Sequence, residues 1–277
     1  MMKQLLAINA SRIVNSILLL IGLVFFKPLA YFVALMMFFA GLTNYCLMEK
    51  ILQRFGFQNT CSTMAGQAEM QVYDAKTHWE KVYQTKKSNE VSWYQEKPKT
   101  SLKLIGEIGL DKNSEIIDVG AGDSKLVDNL LDLGFKNITV LDISPTALNR
   151  AKKRLGNQMK SVKWVVSDLR AFETKDRYDL WHDRAVLHFL TEEEDISKYA
   201  EKVKQLLKPN GYLIVSAFSE NGPKRCSGLD IKQYSEHSIK KIFSGLEHIK
   251  SFEEEHATPW GARQIFICSV LRKGGKK

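Results

Sequence analysis

Glu115-Ile-Ile-Asp-Val-Gly-Ala-Gly-Asp-Ser124 passes from apolar to glycine-rich within ten residues. The apolar half predicts a short buried strand over 115–119, and the glycines predict a tight turn into a helix starting near Ser124. Gly120 and Gly122 let the backbone turn sharply and approach a ligand where a Cβ would clash. A side chain at Gly120 is therefore expected to fill space that a ligand needs. Two glycines at this spacing are commonplace. Their setting gives them weight: a strand before, a helix after, and Asp142 closing the next strand twenty residues past Gly122.

Outward from this stretch, strand and helix patterns alternate. Strands are predicted near 115–119, 138–142, 162–167, 178–183 and 211–218, with helices near 124–133, 145–155 and 192–207. Gly134 stops the first helix, and Ser144 with Pro145 starts the second. Thr191-Glu-Glu-Glu194 reads as a capping box for the third, and Lys208-Pro-Asn-Gly211 as the turn that ends it. Two more strands, about 246–254 and 264–271, follow one another directly and predict an antiparallel pair at one sheet edge. The pattern implies an α/β fold: a doubly wound, mostly parallel seven-stranded sheet that binds its ligand beyond the carboxyl ends of the strands. Upstream, residues 69–84 place Val72, Ala75, Trp79, Val82 and Tyr83 near helical spacing. Glu90-Val-Ser-Trp-Tyr-Gln95 reads as a loop, and Pro98 opens a helix that runs to about Gly109.

The 277 residues are ample for a sizeable core, and their net charge of +9 is unevenly spread. Residues 1–60 hold Lys3, Arg12, Lys27, Lys50 and Arg54 against Glu49 alone, while the remainder carries 35 basic and 30 acidic residues. No basic stripe interleaved with stacking aromatics is present, which speaks against nucleic acid as a partner. The excess instead suits an anionic membrane surface. Residues 13–26 and 29–47 are two nearly unbroken apolar runs separated by Lys27-Pro28, and the second has the ~20-residue length that a bilayer requires. A transmembrane helical hairpin over 1–58 is expected, with both ends on the cytoplasmic side because Lys and Arg cluster there. A polar linker at 59–68 then leads into a catalytic domain over 69–277, facing the cytoplasm at the inner membrane. Cys46, Cys61, Cys226 and Cys268 lie far apart with no metal-ligand spacing, so neither a metal site nor a disulfide framework is expected.

Each candidate functional residue falls at the carboxyl end of a predicted strand. Asp118, Gly120 and Gly122 end the first, Asp142 the second, Asp168 the third, and His182-Asp183-Arg184 the fourth. One such acid is commonly a helix cap; four along one sheet edge mark a ligand site. An acid after the second strand suits a ribose diol, because a carboxylate accepts from both hydroxyls. An acid after the third suits the exocyclic amine of a purine, so an adenosine is expected. A nicotinamide dinucleotide calls for G-x-G-x-x-G with a helix amino end facing pyrophosphate. Here Asp123 stands where phosphate would be repelled, and it favours the sulfonium and amino groups of S-adenosylmethionine.

These residues resemble the class I S-adenosylmethionine-dependent methyltransferases over roughly 69–271. Asp118-Val-Gly-Ala-Gly-Asp-Ser124 is similar to their first motif, with Ser124 replacing a frequent third glycine. His78-Trp-Glu-Lys-Val-Tyr83 and Glu90-Val-Ser-Trp-Tyr-Gln95 resemble the amino-terminal signature of a subgroup that includes eukaryotic protein-lysine methyltransferases. Tyr178-Asp-Leu-Trp-His-Asp-Arg-Ala-Val-Leu-His188 and Gly222-Pro-Lys-Arg-Cys-Ser-Gly228 resemble its bacterial branch. Residues 41–56 resemble a small two-helix inner-membrane domain, which implies anchoring and a homo-oligomer formed through the hairpin. By resemblance, Trp93, Tyr94, Asp118, Gly120, Ala121, Gly122, Asp123, Asp142, Ile143, Asp168, Leu169 and Asp183 bind the cofactor, and Asp183-Arg184 lie at its methyl end.

Methyl transfer from a sulfonium is an in-line displacement that needs alignment and exclusion of water. Where the acceptor must lose a proton, His182, Asp183 and His188 are the candidate bases, with Asp183 expected at the chemistry. Arg184 is expected to bind an acidic acceptor or a nearby carboxylate. The turn Ser219-Glu-Asn-Gly-Pro-Lys-Arg-Cys-Ser-Gly228 is expected as a substrate lid, with Cys226 structural. The acceptor, a protein lysine or a small molecule, stays open. The alternative is a non-catalytic, S-adenosylmethionine-binding membrane sensor or scaffold.

Overall fold

The computed structural model describes residues 74–275, together with residues 27, 28, 31, 34 and 35. Apart from those five positions, the hairpin expected over 1–58 and the linker at 59–68 lie outside the described residues. Lys27 and Pro28, expected as the turn of the hairpin, are helical, a conformation compatible with the fixed φ of proline. Among the described residues no helix is long and apolar enough to cross a membrane. The chain divides into compact units Met1–Asp74 and Ala75–Lys277, and the second carries the fold described here.

Six helices and nine strands build this unit. The helices are α1 (Ala75–Thr85), α2 (Lys99–Ile108), α3 (Leu126–Asp132), α4 (Pro145–Leu155), α5 (Glu193–Leu206) and α6 (Glu236–Ile242). The strands are β1 (Glu115–Val119), β2 (Asn137–Asp142), β3 (Val162–Val166), β4 (Tyr178–Arg184), β5 (Leu207–Phe218), β6 (Arg225–Cys226), β7 (Leu229–Asp230), β8 (Leu246–Ala257) and β9 (Arg263–Lys273). Seven of them form one sheet in the order β3-β2-β1-β4-β5-β9-β8, while β6 and β7 form a separate ribbon. The first five run parallel, and β9 is antiparallel to both of its neighbours; its pairing with β8 is the antiparallel edge pair that the sequence predicts.

β1 lies inside the sheet and is covered on both faces. Ile117 packs with Trp181, Tyr199 and Val215, whereas Ile116 packs with Leu104, Ile138 and Leu180 on the other side. A central parallel strand buried twice over has to read as a continuous apolar run, which is the pattern of 115–119. Register then sets Asp118 beside His182, and Val119 beside Asp183.

Two local expectations fail. The capping box at Thr191 does not form: Glu192 is the N-cap residue without a side-chain bond, and the Thr191 hydroxyl donates to Glu192 instead (3.4 Å). Glu193, Glu194 and Asp195 still place negative charge in the first turn of α5, where the helix dipole favours it. β5 begins at Leu207, four residues earlier than the predicted 211, because Leu207 pairs with Tyr178. Lys208, preceding Pro209, is thereby kept extended, and Asn210 absorbs the irregularity at φ 64°.

α1 is bound to the amino end of α4 through one carboxylate. Ser144 caps α4 by accepting from Ala147 N (3.1 Å) and donates its own hydroxyl to Glu80 Oε2 (2.6 Å). Thr146 N donates to the same oxygen (3.2 Å), and the Thr146 hydroxyl donates to Glu80 Oε1. Glu80→Ala is expected to cost about 1–2 kcal/mol of stability, as loss of a capping group does. Amide exchange in α1 should accelerate with it; exchange that stays at the wild-type rate would show that α1 is held by something else.

Candidate active site

The turn after β1 is left-handed at both glycines, with φ 58° at Gly120 and 56° at Gly122. A Cβ on Gly120 would lie 2.0 Å from Val186 Cγ2, and one on Gly122 would lie 2.2 Å from Tyr83 Oη. The turn thus packs tightly between the chain following β4 and helix α1. This corrects the expectation that a side chain at Gly120 fills ligand space: it strikes protein first.

Asp142 joins this turn to the one after β2. Gly122 N donates to its Oδ2 (2.8 Å) and Ser144 N to its Oδ1 (2.7 Å), while Ala121 N donates to Leu141 O (3.1 Å). Burial pushes the Asp142 pKa up to about 6, against the pull of those two backbone bonds. Ile143 follows it, partly buried, at the same edge.

Beside β1 and β4, at the carboxyl edge of the sheet, lies a cleft that opens to solvent. Trp93 and Tyr94 of the loop before α2 line it, as do Ser101 of α2, Asp118 of β1, the turn residues Gly120, Ala121 and Asp123, and His182 and Arg184 of β4. One wall is a hydrogen-bonded chain of buried side chains. His182 Nδ1 stands 2.7 Å from Asp118 Oδ1, and His182 Nε2 stands 2.9 Å from Ser101 Oγ. A carboxylate oxygen accepts, so Nδ1 donates to Asp118, and with that tautomer Nε2 accepts from the Ser101 hydroxyl. Ser101 escaped the sequence reading. Its signal was its spacing, three and four residues ahead of the buried Leu104 and Ile105 on α2.

Asp123 also borders the cleft, but its charge is already matched. Its Oδ2 accepts from Ser88 Oγ (2.5 Å) and pairs with Arg150 (3.5 Å). The loop carrying Trp93 is held from three sides. Its ring meets Trp79 and Tyr83 edge-on (5.7 and 6.2 Å), its carbonyl accepts from Arg184 Nη1 (3.1 Å), and the neighbouring Ser92 carbonyl accepts from His256 Nε2 (2.7 Å). Tyr94 donates its hydroxyl to Glu96, which Lys125 also reaches. The Arg184 guanidinium lies over the Phe266 ring at 5.1 Å, and burial pulls its pKa down.

Asp183 and His188 do not join this cleft. Strand alternation turns His182 and Arg184 toward it and Asp183 away. Asp183 is 0 % exposed; its Oδ1 accepts from Val186 N (3.1 Å) and Leu187 N (3.4 Å), and its Oδ2 accepts from Tyr199 Oη (2.6 Å). The Tyr199 oxygen in turn accepts from Trp181 Nε1 (3.0 Å). Burial pushes the Asp183 pKa up to about 6. The carboxylate expected at the chemistry is a bracket for the turn that follows β4. His188 is likewise interior, stacked on Phe218 (4.3 Å, 6°), with Nδ1 accepting from Phe218 N (3.3 Å). Burial, aided by the charge of Arg184, pushes its pKa down to about 3. With Nδ1 engaged and the ring proton on Nε2, it has no lone pair to offer as a base.

The remaining predicted residues occupy the same sheet edge beyond the cleft lining. Asp168 pairs with Arg170 (2.6 Å) and accepts from its backbone N–H (2.8 Å). Leu169 is buried in the core, and its carbonyl accepts from Lys202 Nζ (2.7 Å). The expected lid at 219–228 is anchored by Ser219 N to Ile265 O (3.0 Å) and by Gln233 Nε2 to Gly222 O (2.7 Å). Its Cys226 is buried behind Ser92, and burial raises the thiol pKa, which keeps it an inert thiol as expected of a structural cysteine.

A doubly wound sheet of this order, with a glycine turn and acidic strand ends on its carboxyl edge, is that of a class I S-adenosylmethionine-dependent methyltransferase domain. The family described as a methyltransferase domain matches residues 110–260, and the chain belongs to it. The chain is 26 % identical over 205 residues to the eEF1A lysine and N-terminal methyltransferase of Bos taurus, covering 70 % of this chain and 28 % of that protein. It is 32 % identical over 105 residues to N-terminal Xaa-Pro-Lys N-methyltransferase 1-B of Xenopus laevis, covering 37 % of this chain and 47 % of that one. The crystal structure of the N-methyltransferase NodS from Bradyrhizobium japonicum in complex with S-adenosyl-L-homocysteine superposes with a TM-score of 0.56 at 16 % identity, covering 70 % of this chain and 97 % of that one. The chain thus spans less than a third of the first relative's length and under half of the second's.

Proposed function

We propose that this protein transfers a methyl group from S-adenosylmethionine to an amine nitrogen, carried by a protein or by a small molecule. The observation that carries this reading is the cleft: a glycine turn, the Asp118 carboxylate and the Trp93–Tyr94 pair meet at the carboxyl edge of β1 and β4. The residues fit a cationic adenosine ligand, since the Asp118 carboxylate lines the cleft, while Arg150 and Arg154 beside the glycine turn are already engaged by Asp123, Asp128 and the Asp123 and Ser124 carbonyls. The names of the relatives, which specify lysine, amino-terminal and other nitrogen acceptors, support the choice of atom.

When bound, the cofactor supplies an activated methyl on a sulfonium. The chain contributes placement and exclusion of water. Trp93 and Tyr94 close one side of the cleft, and the ordered turn over 120–123 sets the other. His182, also on this cleft, holds Asp118 in position through Nδ1 and takes the Ser101 hydroxyl at Nε2, so it orients that carboxylate and has no free lone pair to serve as a base.

The apolar runs of residues 1–58 and the Lys/Arg bias at their ends support a further part of the reading: a hairpin anchor that holds the domain on the cytoplasmic face of the inner membrane. Membrane fractionation of the full chain tests it; recovery in the soluble fraction overturns the anchor alone. The enzymatic reading is tested by titrating the full chain in detergent with S-adenosylmethionine and with NADH. Saturable binding of the first alone is expected, followed by transfer of labelled methyl to amine-bearing acceptors. Binding of NADH alone overturns it, and tight cofactor binding without transfer to any acceptor pool would favour the sensor or scaffold.

A further inference from the structure

Arg184 carries a guanidinium whose hydrogen bonding is incomplete. Nη1 donates to the Trp93 carbonyl (3.1 Å), yet Nη2, closed off from solvent, has no hydrogen-bond partner. A buried charged donor left unpaired is costly. The acids nearest to it in influence are otherwise engaged. Glu254 accepts from Thr100 and Cys268, and Asp118 accepts from His182. No ion pair to Arg184 is formed among the described residues.

The backbone next to this side chain is strained. Ala185, the next residue, has φ 71°, a left-handed conformation that costs a non-glycine residue about 1–2 kcal/mol. Ala185 N donates to Ser216 O (2.8 Å), and Asp183 clamps the two residues that follow through their N–H groups. Strain of this kind, held by two brackets beside an unsatisfied cation on a cleft, is the signature of a binding group set in advance.

We propose that Arg184 is the carboxylate-binding residue of the cleft, and that an incoming carboxylate completes the bonding of Nη2. The inference rests on the S-adenosylmethionine reading above. The carboxylate belongs to the methionine end of the cofactor or to the acceptor, and its chemistry at Arg184 is the same. In the first case Asp118, on the same cleft, meets the ammonium beside it. Lysine would not serve equally, because a single ammonium does not span both the Trp93 carbonyl and a ligand as a planar fork does.

The test compares wild type, Arg184→Gln and Arg184→Lys in the full chain, each checked for an unchanged thermal midpoint. S-adenosylhomocysteine is titrated against its decarboxylated analogue, 5′-(3-aminopropylthio)-5′-deoxyadenosine, which lacks only the carboxylate. Arg184→Gln is expected to weaken S-adenosylhomocysteine binding about 10- to 100-fold, the worth of a charge-assisted bond, and to leave the analogue within about threefold of wild type. Arg184→Lys, which keeps the charge and tolerates burial over Phe266, should fall between. Unchanged S-adenosylhomocysteine affinity, with acetate binding to the saturated wild type but not to Arg184→Gln, assigns the site to the acceptor's carboxylate. Equal losses for both nucleosides, or wild-type behaviour of the variants toward nucleosides and acetate alike, overturn the proposal. A wild type that binds neither nucleoside overturns the cofactor reading, and the acetate titration then decides Arg184 by itself.

Discussion

Gly120→Val is expected to lower the stability of the domain by about 2–5 kcal/mol, because it adds a left-handed valine to an overpacked contact. The new Cβ would stand 2.0 Å from Val186 Cγ2, so the turn, the chain after β4, or both must shift. Cofactor affinity falls as a consequence of that shift. The distinguishing measurement is urea unfolding without ligand: a variant as stable as wild type that has merely lost affinity would mean the clash is with ligand space after all. Shortening Val186 to alanine in the same chain should recover part of the stability, since the atom struck is removed while the backbone strain remains. The double-mutant cycle reads that coupling directly.

Asp183→Ala is expected to be comparably damaging, at about 3–5 kcal/mol. It leaves the N–H groups of Val186 and Leu187 and the Tyr199 hydroxyl without their acceptor in a dry interior. The conservative Asp183→Asn isolates the electrostatic part. Asp183 titrates near 6 in the fold, above the ordinary carboxylate value of 3.8. A raised acid favours the folded state only while protonated, so its contribution is complete below about pH 4 and is lost as pH rises through about 6. The stability of wild type minus that of Asp183→Asn should therefore fall by about 3 kcal/mol between pH 4 and 7, from 1.36 kcal/mol per pKa unit. A difference that is flat over that range would show that Asp183 is ionised at no cost, contrary to its burial.

Much of the sheet was legible because its signals are local. The doubly buried strand at 115–119 and the Ser144-Pro145 start of α4 each depend on a few adjacent residues. The cap at Thr191 was not, because a serine or threonine in the right place says nothing about which rotamer it takes. In the site, the glycine turn, Asp118, Trp93, Tyr94 and Arg184 come together on one cleft. His182-Asp183-Arg184 defeated the reading for a physical reason. Parity along a strand divides the three into two faces, but a strand covered on both sides carries no polarity signal to say which face meets the cleft. His188 was misjudged similarly, since a histidine buried against Phe218 and one poised for catalysis look alike in a sequence.

The Asp142 carboxylate, accepting from the amides of Gly122 and Ser144, has a thermodynamic consequence. It settles the loops after β1 and β2 into one piece while the protein is still alone. Ordering a backbone residue costs about 1–2 kcal/mol of conformational entropy, and a ligand that had to organise residues 120–123 on arrival would bear that several times over. Here the folding reaction has already borne it. Association at this edge should therefore be fast, with heat released by direct contacts and little entropic opposition from the loops, and a calorimetric entropy of binding that grows sharply more unfavourable in Asp142→Ala would mark what that carboxylate had settled beforehand.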